Sequence, residues 1–157
     1  MRLDPTPLLM LVLLAPPAAL GDETHAHGAA GLAATDAGEA GRADAVRRTV
    51  RVGMHDAMRF SPGVLSVRRG DTVRLLVRNH GQIMHEIVLG TPAEIEQHRL
   101  AMRRDPAMAH GAPYMAHVAP GAQAQMLWRF SRAGTVHYAC LLPGHYEAGM
   151  TGTIEVR

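Results

Sequence analysis

Residues 138–156 read YACLLPGHYEAGMTGTIEV, and their reading decides the fold. Cys140 closes an alternating segment, His145 follows five residues later, and Met150 five after that. Pro143-Gly144 supplies a tight turn between them, and alternation resumes over 151–157. A strand end, a turn and the next strand's start can therefore gather a thiolate, an imidazole and a thioether. These are three of the four donors of a mononuclear copper site, and a second imidazole is needed from elsewhere.

Working outward, alternation of period two dominates. Residues 122–130 and 135–140 read as strands, separated by Ser131-Arg132-Ala133-Gly134. Upstream, 48-RTVRVGM-54 alternates, and 64-VLSVRRGDTVRLLVRN-79 reads as strand, turn at Arg69-Gly70-Asp71, strand. Residues 84-MHEIVL-89 form another short strand. Thr91-Pro92-Ala93-Glu94 carries a helix start: Thr as N-cap, Pro at the first helical position and Glu at the third. That helix is expected to run to about Arg104 and to stop before Asp105-Pro106. A Gly/Pro/Ala/Met loop is expected from there to Pro120. Many short strands with one helical insertion predict an all-β sandwich.

Composition narrows the chemistry. The chain has 157 residues and a formal charge of +2, and all 16 of its basic residues are Arg. Without Lys, a phosphate-binding P-loop and Schiff-base catalysis are excluded. One cysteine permits no internal disulfide and no zinc site built on several thiolates. His and Met number ten each, a donor set that suits copper.

The N-terminus reads as an export signal. Leu8–Ala15 is an unbroken apolar run after Arg2, followed by Pro16-Pro17 and small residues. It is shorter than the roughly 20 residues of a membrane-spanning helix, and no span is expected. Residues 1–21 are thus assigned as a secretory signal, 22–45 as a flexible acidic Gly/Ala-rich tether, and 46–157 as the folded domain. His25 and His27 in the tether read either as solvated residues or as an accessory metal-capture pair. The folded part holds 14 Arg against 8 acids. Export argues against nucleic acid, and an acidic redox or copper-exchanging protein partner fits the charge better.

The ligand pattern resembles that of the cupredoxins, the type 1 blue-copper proteins, over residues 46–157. In that family a Cys-x(2–4)-His-x(2–4)-Met loop joins the last two strands, and the first His follows an Asn-containing turn. The stretch 79-NHGQIMHEIVLG-90 matches that turn, and 60-FSPGVLSVRRGDTV-73 is similar to the family's second and third strands. The resemblance implies a Greek-key sandwich, with His85, Cys140 and His145 as the trigonal copper ligands and Met150 as the weak axial one. His80 is the competing choice for the first imidazole. Parity favours His85, which shares a strand side with Ile87 and Leu89. His137 should point away from the metal, and Tyr138 into the core. One residue departs from the pattern: Glu86 stands where several blue-copper proteins carry Asn or Ser.

The phrases HEIV and AGMTGTIEV resemble exported bacterial cupredoxins of copper tolerance. The resemblance implies a periplasmic, redox-active, mononuclear copper protein, monomeric and not an enzyme. A soluble one-electron carrier is the alternative, using an apolar patch of Leu141, Leu142 and Pro143 around His145. The surplus of Met and His bears on the choice. Met108, His110, Met115 and His117 could hold additional Cu(I), whereas Met102 and Met126 read more simply as core.

Overall fold

The computed structural model describes residues 34–105 and 111–157. Its strands are β1 (Ala34–Thr35), β2 (Gly38–Ala40), β3 (Val46–His55), β4 (Arg59–Ser61), β5 (Val64–Val67), β6 (Thr72–Asn79), β7 (His85–Gly90), β8 (Met115–Val118), β9 (Gln123–Arg129), β10 (Gly134–Ala139) and β11 (Thr151–Val156). One helix, α1 (Pro92–Arg104), lies between β7 and β8. The strands form two sheets, ordered β1-β2-β9-β6-β3-β4 and β5-β11-β10-β7-β8, the expected sandwich. Most neighbours are antiparallel; β3 with β6 and β5 with β11 are parallel.

Alternation in the sequence becomes inside and outside here. Val50, Val52 and Met54 of β3 lie beside Val73, Leu75 and Val77 of β6 on the inner surface of the first sheet, with Met126 and Trp128 of β9 next to them. The opposite sheet contributes Ile87, Leu89, Val136, Tyr138, Ile154 and Val156 to the same core. Strand β7 is buried on both faces. Its odd residues point between the sheets, while Val88 packs outward against Ile95 and Met102 of α1, with Met115, Ala139 and Leu141. The helix is thus a third layer that clamps the start of the 140–150 loop from behind.

The helix begins as the sequence requires. The Thr91 hydroxyl accepts from the Glu94 amide at 3.3 Å, and the Glu94 carboxylate accepts from the Thr91 amide at 2.8 Å, a complete capping box. Glu94 also accepts from the amide of Asp36 at 2.7 Å.

Two segments differ from the sequence expectation. Residues 34–45, expected to be tether, are ordered: β1 pairs with β2, β2 pairs with the edge of β9, and a 3-10 turn spans Ala43–Ala45. Ala37 is buried, and its carbonyl accepts from the Trp128 indole at 3.2 Å. Gly38 permits this approach, with φ at 141° and no room for a Cβ, which would lie 2.3 Å from the Arg129 carbonyl oxygen. The second difference is β8, four residues of strand inside the expected loop. Its partner β7 offers an edge with unpaired backbone groups, and pairing satisfies them. Residues 1–33, with the expected signal, His25 and His27, lie outside the described residues.

Candidate metal centre

Four chain segments meet at one end of the sandwich. Strand β7 begins there with His85, β10 ends just before Cys140, and the 141–150 loop carries His145 and delivers Met150 to the start of β11. One donor atom each from His85, Cys140 and His145 lies within 4.8 Å of the other two. Cys140 Sγ is 3.3 Å from His145 Nδ1, and the two imidazole centroids are 5.1 Å apart. In a trigonal or tetrahedral site with bonds of about 2.1 Å, donors stand roughly 3.4–3.7 Å apart, so a small contraction suffices. Met150 is fully buried in the core that also holds Cys140.

The loop is fixed by its own backbone. The Cys140 amide donates to the Met150 carbonyl, and the Met150 amide donates to the His145 carbonyl, both at 3.1 Å. Two of the sequence-predicted residues are thereby locked to the third. His145 remains half-buried, with an edge toward solvent.

His85 is fully buried and its tautomer follows from its partners. Nε2 lies 3.0 Å from a carboxylate oxygen of Asp56, while Nδ1 is buried with no hydrogen-bond partner. The N–H therefore sits on Nε2 and donates to Asp56, which leaves the Nδ1 lone pair free. An orphaned buried nitrogen beside a buried thiol is costly in a finished core. It is what a metal ligand needs, and the donor set fits copper. The competing His80 is exposed and stacks on His55 instead.

Asp56 was not visible to sequence reasoning, because its partner lies 29 residues away. The Gln82 amide fixes it at 2.7 Å and is the main reason its carboxyl is held below the ordinary range; His85 adds to this. Asn79 is the second such residue. Its side-chain amide donates to the carbonyls of Ile83 at 2.7 Å and Val118 at 2.9 Å, and its oxygen accepts from Gly81. The turn that presents His85 is built around this one buried side chain. The Asn-containing turn of the sequence was its only signal.

Glu86, the departure from the family pattern, ties the ligand segments together. Its amide donates to Cys140 Sγ at 3.3 Å, and its buried carboxylate accepts from the Leu141 amide at 3.3 Å. Its other oxygen meets His117 Nε2 at 2.8 Å, since Glu86 and His117 are register partners across β7 and β8. Burial pushes the Cys140 thiol up to about 11, with the Glu86 charge adding to it. Burial, then the neighbouring His85, lowers His145, and burial lowers His117.

The Met/His surplus divides. Met102, Met115 and Met126 are core residues, as is Met54. His117 is engaged with Glu86, and Met108 and His110 lie outside the described residues. The expected Met108, His110, Met115, His117 cluster on a loop is therefore corrected for Met115, which β8 turns inward. Tyr138 packs in the core, its hydroxyl donating to the Pro62 carbonyl at 2.6 Å. Leu141 is buried under the helix, so of the three apolar residues placed around His145 only Leu142 and Pro143 reach the surface. Among the described residues no helix is long and apolar enough to cross a membrane.

Comparison with known proteins agrees with this geometry. The chain is 46% identical over 156 residues to the copper-resistant cuproprotein CopI of Rubrivivax gelatinosus, covering 96% of this chain and 94% of that one. It is 30% identical over 185 residues to the protein of the same name from Pseudomonas aeruginosa, covering 99% and 97%. Among solved structures, auracyanin B superposes with a TM-score of 0.65 at 25% identity, over 76% of this chain and 96% of that one. Residues 47–157 match the family described as copper binding proteins, plastocyanin/azurin family, and the chain belongs to that family.

Proposed function

We propose that this chain is an exported, mononuclear type 1 copper protein that works in periplasmic copper tolerance. In this reading His85, Cys140 and His145 are the strong ligands and Met150 the weak axial one. One observation carries it: the free Nδ1 of buried His85, the Cys140 sulfur and the His145 imidazole converge from positions 55 and 60 residues apart in sequence. Copper bound there would supply a one-electron couple.

The protein's own residues do the rest. Asp56 orients the His85 ring, and the Cys140–Met150 and Met150–His145 backbone bonds hold the loop. The Glu86 amide neutralises part of the thiolate charge. A site held this firmly needs little rearrangement between oxidation states. The similarity to copper-resistant cuproproteins supports the tolerance role. A His85, Cys140 and His145 donor set of this kind supports binding and electron exchange.

A soluble one-electron carrier is the second reading. Ile83 and Met84, directly before His85, are exposed large apolar side chains, as a docking rim would need. For either role the excess of Arg suits an acidic partner.

One equivalent of Cu(II) added to the purified protein should produce an intense thiolate-to-copper band in the visible, absent from Cys140→Ala. Persistence of the band in that variant overturns the site. Growth of a deletion strain under copper stress, compared with its respiratory rate, separates tolerance from electron carriage.

A further inference from the structure

The imidazole that lost the competition for the copper site has a partner of its own. His80, the residue after β6, stacks on His55, at the end of β3, with ring centroids 5.1 Å apart and planes within 10°. The pair stands on the outer face of the first sheet, His80 exposed and His55 half-buried. Neither imidazole has a hydrogen-bond or ion-pair partner among the described residues.

What brings the rings together is a missing side chain. Gly53 points to the same outer face, two residues before His55. A Cβ there would lie 3.0 Å from His55 Nε2 and 3.4 Å from His80 Nε2. Both nitrogens therefore border one hole in the sheet surface, part of a depression of about 500 Å³ rimmed by Arg51, Ser61, Arg78 and Gln123. The backbones on either side are pinned: the His80 amide donates to Met54, and the His55 carbonyl accepts from Met58, both at 2.9 Å.

We infer that His55 and His80 form a second, surface metal site over Gly53, selective for Cu(II) among the common divalent ions. A neutral imidazole offers one nitrogen lone pair, and two imidazoles bordering one hole make a bidentate donor once one ring turns toward it. Nitrogen donors without sulfur favour Cu(II) over Cu(I), and Cu(II) heads the affinity order for such sites. Parallel rings do not aim at one ion, and rotation of the exposed His80 ring about Cβ–Cγ turns its Nε2 into the hole. Water or an anion attracted by Arg51 and Arg78 completes the coordination. Asp56, the residue after His55, is the hydrogen-bond partner of His85, and Gln82, two residues after His80, fixes Asp56. The second site is thus built on the same two turns that hold the first.

The test uses the full chain carrying one equivalent of Cu(II), to which a second equivalent is added. Equilibrium dialysis counts the bound metal, and electron paramagnetic resonance reads nitrogen hyperfine structure from the second ion. The expected result is a second bound Cu(II) with nitrogen couplings, weakened about tenfold or more in His55→Ala and in His80→Ala. Gly53→Ala should weaken it too, because the methyl plugs the hole without removing either imidazole. The visible thiolate band reports the first site separately and should not change in any of the three. Equal retention of the second ion by wild type and all three variants overturns the proposal, as does a wild-type stoichiometry of one.

Discussion

The carboxylate of Asp56 accepts a hydrogen bond from Nε2 of His85 at 3.0 Å, and by doing so frees the other ring nitrogen of a fully buried imidazole. Asp56 sits at the β3–β4 turn, in the other sheet from His85. The bond fixes ring orientation and tautomer together, and it raises the basicity of Nδ1. Asp56→Ala should lower copper affinity by about 10–100-fold, measured by competition against a chelator. Unchanged affinity would show that packing alone orients the ring.

Copper binding should release a proton from Cys140. The thiol lies at about 11 against its ordinary 9.0, so it is protonated at neutral pH and must be deprotonated to bind. Copper affinity should therefore rise about tenfold per pH unit above the ordinary histidine range. The metal-free fold has the opposite dependence. A raised folded value means the stabilisation is complete below pH 9.0 and is lost as pH climbs toward about 11. Calorimetry in buffers of differing ionisation enthalpy counts the proton, and alkaline unfolding of Cys140→Ser, without that loss, checks the second part.

Gly152 leaves space for Tyr138. The two residues are register partners on β11 and β10, and a Cβ at 152 would lie 2.2 Å from the tyrosine Cζ. Gly152→Ala must displace a buried ring that is hydrogen-bonded to Pro62, at a cost of about 1–3 kcal/mol. Tyr138→Phe, which removes only the hydroxyl, should cost about 1 kcal/mol. Thermal denaturation of the two variants should rank them in that order.

Much of the sandwich was legible because burial and strand period are the same signal. Within the alternating stretches, burial follows the same period over residues 50–54, 64–67, 73–79 and 135–138. The helix start was legible because a capping box is local, involving only Thr91 through Glu94. Elements whose stability comes from a distant neighbour were not legible. Strand β8 lies in a stretch rich in Gly, Pro and Ala, and pairing with β7 makes it a strand. Residues 34–45 carry no period, and the edge of β9, with Trp128 and the Gly38 approach, orders them.

At the metal centre the boundary is similar. The donor types, the five-residue spacings and the turn at Pro143-Gly144 follow from the sequence alone, because Cys140, His145 and Met150 share one loop and backbone geometry limits where they can go. Which histidine joins them was decided by tertiary structure. His80 and His85 flank one turn, and the fold carries one to the surface beside His55 and the other into the core beside Cys140. Asp56, Asn79 and Glu86 follow the same rule. Each acts through a hydrogen bond to a residue 29 or more positions away. The contacts of Asp56 and Asn79 exist only once the two sheets have met, and that of Glu86 only once β7 has paired with β10.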